Sequence, residues 1–79
     1  MMGRRMEILV RLSGNLRKYF EEEKRFQLEA PVTVGDLIRH LSIEDGEVGV
    51  VALNSELASR SEELREGDRV QLFPPIGGG

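Results

Sequence analysis

The sequence predicts an α+β fold in which a mixed sheet packs on one main helix. Three observations support this prediction. Short segments in which apolar and polar residues alternate are spread along the chain, as is typical of half-buried strands. A central segment combines a helix-start signal with apolar residues at helical spacing. The length of 79 residues leaves room for one such domain.

The first third of the chain predicts two strands that form a hairpin. Residues 6–12 place apolar side chains on one face, and residues 26–29 alternate in the same way. Between them, apolar residues at helical spacing over 16–20 predict a short helical turn with Asn15 as its N-cap. Pro31 ends the second strand, because proline cannot donate a hydrogen bond to the ladder.

The helix is predicted to start at a capping box. Thr33 and Asp36 have the required spacing, with aspartate in place of the usual Glu or Gln. Apolar residues over 37–41 then form one stripe of an amphipathic helix. The turn residues Asp45 and Gly46 are expected to end this helix after about ten residues.

The second half of the chain predicts three more strands. Residues 48–53 are apolar and β-branched, residues 54–55 suit a tight turn, and 56–58 form a short return strand. A turn at 65–68 precedes the last strand at 69–73. The apolar side of the sheet is predicted to consist of Ile8, Val10, Leu12, Phe26, Leu28, Val51, Leu53, Val70 and Leu72.

Composition excludes several functions. The chain has no cysteine, which excludes disulfides, thiolate metal sites and a cysteine nucleophile and favours a reducing, cytoplasmic setting. The net charge of −3 argues against general nucleic-acid binding. The longest apolar run, Val50–Leu53, is far shorter than the roughly 20 residues of a membrane span. We therefore expect neither nucleic acid nor a membrane as a partner.

The residues do not predict an enzyme acting alone. The single histidine, His40, is expected to be a surface residue, and the acidic clusters at 21–23 and 62–63 are expected to be solvated. No glycine-rich loop is followed by the Lys-Ser/Thr pair of a phosphate-binding loop. The prediction is a protein that holds no metal or cofactor itself.

The C-terminal end is unusual for a folded domain. We expect a globular domain over 1–73 and an extended tail over 74–79, in which two prolines and one isoleucine precede three glycines. Six residues can span about 20 Å, and glycine allows a backbone to pass through a channel too narrow for a Cβ atom. Such a tail can present the carboxylate of Gly79 inside another protein's active site. A tail without a role, or a cloning remnant, is the alternative.

A carboxylate becomes a good acyl donor only after activation. An ATP-using partner could convert it to an acyl-adenylate, from which sulfide or a persulfide displaces AMP and leaves a thiocarboxylate. An amine could be acylated instead. In both cases the partners carry out the chemistry and consume the ATP.

Three segments carry a resemblance to a known family. The segments at 51–57 (VALNSEL), 64–70 (LREGDRV) and 73–79 (FPPIGGG) closely resemble the MoaD branch of the MoaD/ThiS sulfur-carrier family. The stretch at 10–19 and the helix start at 33–37 are also similar. The resemblance implies a β-grasp, ubiquitin-like fold with a flexible Gly-Gly tail, and Phe-Pro-Pro favours MoaD over ThiS.

The resemblance also implies partners and site residues. It implies a MoeB-like adenylating enzyme of the ubiquitin-activating type, a sulfurtransferase as sulfur source, and a MoaE-like synthase subunit that uses the sulfur for molybdopterin. By position, Gly79 would accept AMP and then sulfur, and Gly78 would be the threading glycine. The partner-binding residues implied are Phe73, Pro74, Pro75, Ile76 and Gly77.

Other readings stay open. The same adenylate could lead to a ubiquitin-like modifier joined to lysines, or to sulfur delivery for thiamin, tRNA thiolation or an amino acid. A plain β-grasp interaction module is a third class. Leu57, Leu64 and Val70 are expected to straddle the core and an interface.

Overall fold

A computed structural model describes residues 3–76. The glycines at 77–79, which were predicted as site residues, lie outside the described residues. Within that range the five strands are β1 (Arg4–Leu12), β2 (Lys24–Ala30), β3 (Val50–Leu53), β4 (Glu56–Ala58) and β5 (Arg69–Phe73). The helix α1 spans Val34–His40, and short 3-10 turns span Gly14–Lys18 and Asp45–Glu47.

The strands form one mixed sheet. Its order is β2-β1-β5-β3-β4. The central strands β1 and β5 are parallel, and the other neighbours are antiparallel. The element order and the mixed sheet confirm the predicted α+β fold class, and β1 and β2 form the predicted hairpin.

The core lies between α1 and one face of the sheet. From Met6 onward in β1 and throughout β5, buried residues alternate with half-buried or exposed ones, as the period of a strand requires. Phe26 and Leu53, which were predicted to face inward, are half-buried and pack against this core. Its buried members are Met6, Ile8, Val10, Leu12, Leu16, Leu28, Val34, Leu37, Ile38, Ile43, Val48, Val51, Leu64, Val70 and Leu72.

The predicted capping box is present at the start of α1. Thr33 Oγ1 accepts a hydrogen bond from the Asp36 backbone N–H at 3.1 Å. An Asp36 carboxylate oxygen accepts one from the Thr33 N–H at 3.0 Å. Two backbone donors that the helix itself cannot satisfy are thereby paired.

Removal of this cap is expected to destabilise the domain. Thr33→Ala should cost about 1 kcal/mol of unfolding free energy.

The Thr33 N–H also holds the pKa of Asp36 below its ordinary value of 3.8. The stability that Asp36 contributes is therefore present above pH 3.8 and is lost as the pH falls through the lower, folded-state pKa. Urea unfolding of the wild type and of Asp36→Asn at several acidic pH values checks this, and an unchanged pH dependence in Asp36→Asn would contradict it.

The helix is shorter than predicted, and its expected end at the Asp-Gly pair is wrong. It ends at His40, and Ser42 adopts a left-handed φ of 61°. The Ser42 N–H donates to the Arg39 carbonyl at 3.0 Å, and the Ile43 N–H donates to the Ile38 carbonyl at 3.3 Å. This pair of bonds is a Schellman motif, and it turns the buried Ile43 side chain into the core.

Other boundaries also differ from prediction. β1 begins at Arg4 rather than at 6, and β2 spans Lys24–Ala30 rather than 26–29. β3 begins at Val50 rather than at 48, although Val48 is buried in the core. Ser13, not Asn15, occupies the N-cap of the first 3-10 turn and makes no side-chain cap bond there. The Ser13 hydroxyl instead pairs with the Gln71 amide at 2.8 Å, so a contact across the sheet determines its role.

The turns before β4 and β5 are as predicted. Asn54 and Ser55 have φ values of 53° and 72°, as a tight hairpin turn with two left-handed residues requires. Asp68 accepts a hydrogen bond from the Arg65 N–H at 2.7 Å and another from the Asn54 amide at 2.9 Å. Asp68 is therefore a turn residue that holds the start of β5.

Among the described residues, no helix is long and apolar enough to cross a membrane.

Candidate functional site at the start of the tail

The last strand delivers the tail next to the start of β3. Phe73 is the final residue of β5, pairs with Val50, and accepts a backbone hydrogen bond from Gly49 at 2.7 Å. Pro74 and Pro75 lie beyond the strand. The chain therefore leaves the sheet beside the loop that precedes β3.

Two glycines flank the prolines. A Cβ atom placed on Gly49 would lie 2.5 Å from the Pro75 Cα and 2.9 Å from the Pro74 carbonyl oxygen. A Cβ atom on Gly14 would lie 2.9 Å from the Pro74 Cγ. The prolines thus occupy space that any other residue at these two glycines would fill.

An apolar groove of about 580 Å³ lies along the start of the tail. It occupies the sheet face opposite α1, because the inward residues of β3 and β5 point toward the helix. Leu57 is 81% exposed and Ile76 is 90% exposed, and both line this groove. Its other lining residues are Ser13, Gly14, Val50, Ala52, Ser55, Phe73, Pro74 and Pro75.

A polar depression of about 370 Å³ adjoins the groove on the same face. Its charged lining residues are Arg11, Arg69 and Glu23, and it shares Ala52 and Ser55 with the groove. A partner that covers the groove would therefore meet guanidinium groups at its border.

Side-chain contacts support the segment that leads to Gly49. The Tyr19 hydroxyl donates to a Glu47 carboxylate oxygen at 2.7 Å, and the Lys18 ammonium lies 3.2 Å from the other oxygen. The Tyr19 hydroxyl and then the Lys18 ammonium lower the pKa of Glu47, while the hydrogen bond to Glu47 raises the pKa of Tyr19. These contacts join the first 3-10 turn to the second.

Arg60 holds the same segment from the other side. Its guanidinium donates to the Asp45 carboxylate at 2.6 Å and to the Val48 carbonyl at 2.7 Å. Its own carbonyl accepts from the Gly35 N–H at 2.9 Å, at the start of α1. The loop before Gly49 is thus braced against both the helix and the chain that follows β4.

Residues 3–76 contain no group of three or more His, Cys, Asp or Glu that could hold a metal ion. His40 is exposed, and its ring meets the edge of Phe26 with centroids 6.2 Å apart. The acidic clusters at 21–23 and 62–63 are exposed, as predicted.

The structure brings the predicted partner-binding residues of its described range together. Phe73 and Pro74 are half-buried, whereas Pro75 and Ile76 are exposed, and all four line the groove. The predicted site residues Gly77, Gly78 and Gly79 lie outside the described residues.

Of the three leucine and valine positions expected between core and interface, only one faces outward. Leu64 and Val70 are 4% and 1% exposed and belong to the core, so the expectation that they reach an interface was wrong, whereas the prediction that Val70 lies on the apolar side of the sheet is confirmed. Leu57 lies at the groove. The difference follows from the register, because Leu57 pairs with Ala52 on the open face of the sheet.

Sequence reasoning missed the roles of Gly14 and Gly49. No role was predicted for Gly14, and Gly49 falls inside the strand predicted over 48–53. A glycine within an apolar, β-branched run is a signal that another backbone approaches closely. That signal was present between Val48 and Val50.

Solved structures similar to this chain share its fold. The putative molybdopterin converting factor subunit 1 from Pyrococcus furiosus is 26% identical, with a TM-score of 0.75, over 90% of this chain and 99% of that one. SAMP1 from Haloferax volcanii is 27% identical, with a TM-score of 0.71, over 92% and 99%. A chain in the complex of subunits 1 and 2 of Molybdopterin-converting factor from Helicobacter pylori 26695 is 29% identical, with a TM-score of 0.57, over 94% and 100%.

A comparison with curated proteins finds no match for this chain. A family model described as the ThiS family matches residues 10–79. This range includes the end of β1, all of β2 to β5 and the glycines of the tail. The chain therefore belongs to the ThiS family of small ubiquitin-like carrier proteins.

Proposed function

We propose that this protein is a sulfur carrier for molybdopterin biosynthesis, with the carboxylate of Gly79 as the group that carries sulfur. One observation carries the proposal: β5 delivers the tail onto an exposed apolar groove, with Ile76 90% exposed just before the three glycines. Such a surface suits a partner that receives the tail, because exposed apolar groups in one patch mark interaction sites.

The proposed chemistry takes place in partner proteins. A carboxylate oxygen of Gly79 attacks the α-phosphate of ATP, and pyrophosphate leaves. A thiol releases hydrosulfide from the persulfide of a sulfurtransferase and is itself oxidised to a disulfide with the enzyme. The hydrosulfide then attacks the carbonyl carbon of the acyl-adenylate, and AMP leaves with the electron pair of the broken C–O bond. The product is a thiocarboxylate, and a proton is released to solvent. This chain contributes the acyl group and the docking surface.

Besides the sulfurtransferase, two partners follow from this sequence of steps. A MoeB-like adenylating enzyme would bind the groove while it activates the tail, and a MoaE-like synthase subunit would receive the thiocarboxylate. The similarity to the subunit 1–subunit 2 complex from Helicobacter pylori supports the second partner. In both complexes, Phe73, Pro74, Pro75 and Ile76 would make the contacts nearest to the reacting group.

A second candidate function is that of a protein modifier. The similarity to SAMP1, a small archaeal modifier protein, supports it. The same adenylate would react with a lysine amine and form an amide, again with loss of AMP. The domain surface is common to both functions, so the products distinguish them.

The deciding experiment is an intact-mass measurement of the protein purified from its native host with an untouched C-terminus. A species heavier by one oxygen-to-sulfur exchange, mapped to Gly79, is the expected result. Lysine-linked conjugates of higher mass would favour the modifier. An unchanged mass after incubation with ATP, the adenylating enzyme and a sulfur source would contradict sulfur carriage.

The groove itself can be tested at Leu57. We expect Leu57→Glu to weaken binding to the adenylating enzyme at least about tenfold, because it places a charge in an apolar contact. Calorimetric titration of the two proteins measures this. Gln27→Glu, which adds a charge at an exposed position on the opposite edge strand, is the matched control. Equal affinity of both variants would show that the partner does not cover the groove.

A further inference from the structure

We propose that Gly49 and Gly14 are positioning residues that hold Pro74 and Pro75 against the domain, so that the tail leaves it in one direction. This inference rests on the proposed function, since it concerns how the tail is presented to the activating partner. The two glycines and two prolines are called the exit seat below.

Gly49 has only a steric reason to be glycine. An added Cβ would lie 2.5 Å from the Pro75 Cα, 2.8 Å from the Pro75 nitrogen and 2.9 Å from the Pro74 oxygen, and real Cβ atoms essentially never come within 3.0 Å. All three are backbone atoms, so no side-chain rotation can relieve the contact. The φ of Gly49 lies outside the left-handed region, so the backbone conformation does not itself demand glycine.

The domain cannot easily relieve this contact by moving Gly49. Its N–H donates to the Phe73 carbonyl at 2.7 Å, and the next residue, Val50, pairs with Phe73 in the sheet. Arg60 holds the preceding carbonyl, that of Val48, at 2.7 Å. A side chain at 49 would therefore displace the prolines rather than the loop.

Gly14 closes the seat on the other side. An added Cβ would lie 2.9 Å from the Pro74 Cγ and 3.2 Å from the Cδ, both in a ring that cannot rotate away. Gly14 also has a φ of +59°, so a substitution there strains the backbone as well. Gly49 is consequently the cleaner position for a test.

The exit seat moves the last held position of the chain closer to Gly79. With Pro75 held, the four residues from Ile76 onward can span at most about 14 Å, compared with about 20 Å for the six residues after Phe73. A segment that is already ordered in the free protein costs less entropy on binding. Loss of the seat should therefore raise KM more than it lowers kcat.

The test compares Gly49→Ala with Gly46→Ala. Gly46 lies three residues earlier in the same loop, has no left-handed φ, and a Cβ there would meet nothing within 4 Å. The rate of adenylation is measured as ATP–pyrophosphate exchange catalysed by the adenylating enzyme of the native host. We expect Gly49→Ala to raise the KM for the carrier about tenfold and to change kcat less than about twofold. Gly46→Ala should match the wild type in both constants.

A second readout does not depend on activity. The NMR amide shift of Ile76 should change in Gly49→Ala and stay unchanged in Gly46→Ala, while the shifts of core residues such as Leu72 are retained. If Gly49→Ala fails to fold, the double variant Pro74→Gly/Pro75→Gly replaces it in the test. That variant leaves Gly49 and the buried core residues unchanged, and it should show the same rise in KM.

The outcomes separate this inference from the proposed function. A wild-type protein that is never adenylated would overturn the proposed function, and the Ile76 shift would then decide the seat alone. An adenylated wild type with equal KM for Gly49→Ala and Gly46→Ala would overturn the seat. Unchanged Ile76 shifts in Gly49→Ala would overturn it as well.

Discussion

Extension of the chain by two residues beyond Gly79 is expected to abolish adenylation, because the reacting group is then a peptide carbonyl instead of a free carboxylate. Gly78→Trp should lower kcat/KM by at least about 1000-fold, since a bulky side chain must pass through a site shaped for a bare backbone. ATP–pyrophosphate exchange with the adenylating enzyme measures both effects.

Neither change should affect folding. Every buried member of the core precedes Phe73 in the chain, the last being Leu72. The thermal midpoint of each variant should therefore lie within about 1 °C of the wild type. Gly46→Trp is the control for a bulky residue at an open glycine, because no atom lies within 4 Å of its Cβ position. Wild-type adenylation of the extended chain would overturn the assignment of Gly79.

Truncation of the helix core should have the largest effect on stability. Leu37 lies on α1, is 0% exposed and belongs to the buried core cluster of the described residues. We expect Leu37→Ala to lower the unfolding free energy by about 3 kcal/mol, within the range for a buried leucine that leaves a cavity. That is a large share of the roughly 4–12 kcal/mol available to a domain of this size.

Urea unfolding at 25 °C measures the effect. Arg39→Ala on the same helix is the control, because its guanidinium is exposed and its ion pair with Asp36 is a surface contact. That variant should differ from the wild type by less than about 1 kcal/mol. A loss below about 1 kcal/mol for Leu37→Ala would mean that α1 does not cover the sheet as described.

Local signals predicted much of this fold. The strands β4 and β5 have the predicted bounds, because alternation and turn residues delimit both of them in sequence. The capping box was predicted correctly for the same reason, since Thr33 and Asp36 satisfy each other's backbone groups within four residues. In each case the interacting groups are close in the chain.

Boundaries that depend on distant contacts could not be predicted in this way. α1 ends early because Ile43 enters the core after a left-handed Ser42, a position where sequence preference favours glycine. β3 starts late because Gly49 lies against Pro75, 26 positions further along the chain. The glycine between Val48 and Val50 signals that a backbone approaches closely, but nothing near it in the sequence tells which backbone that is.

The candidate site also has a part that could be predicted from the sequence and a part that depends on distant contacts. The sequence by itself determined the proposed chemistry of the tail, because the order of Phe-Pro-Pro, isoleucine and three glycines can be recognised without the fold. Only the tertiary structure decided where that tail leaves the domain and which surface accompanies it. Gly14, Gly49 and Leu57 come together at β5 through strand pairing and steric fit, and these act between residues that the chain keeps far apart.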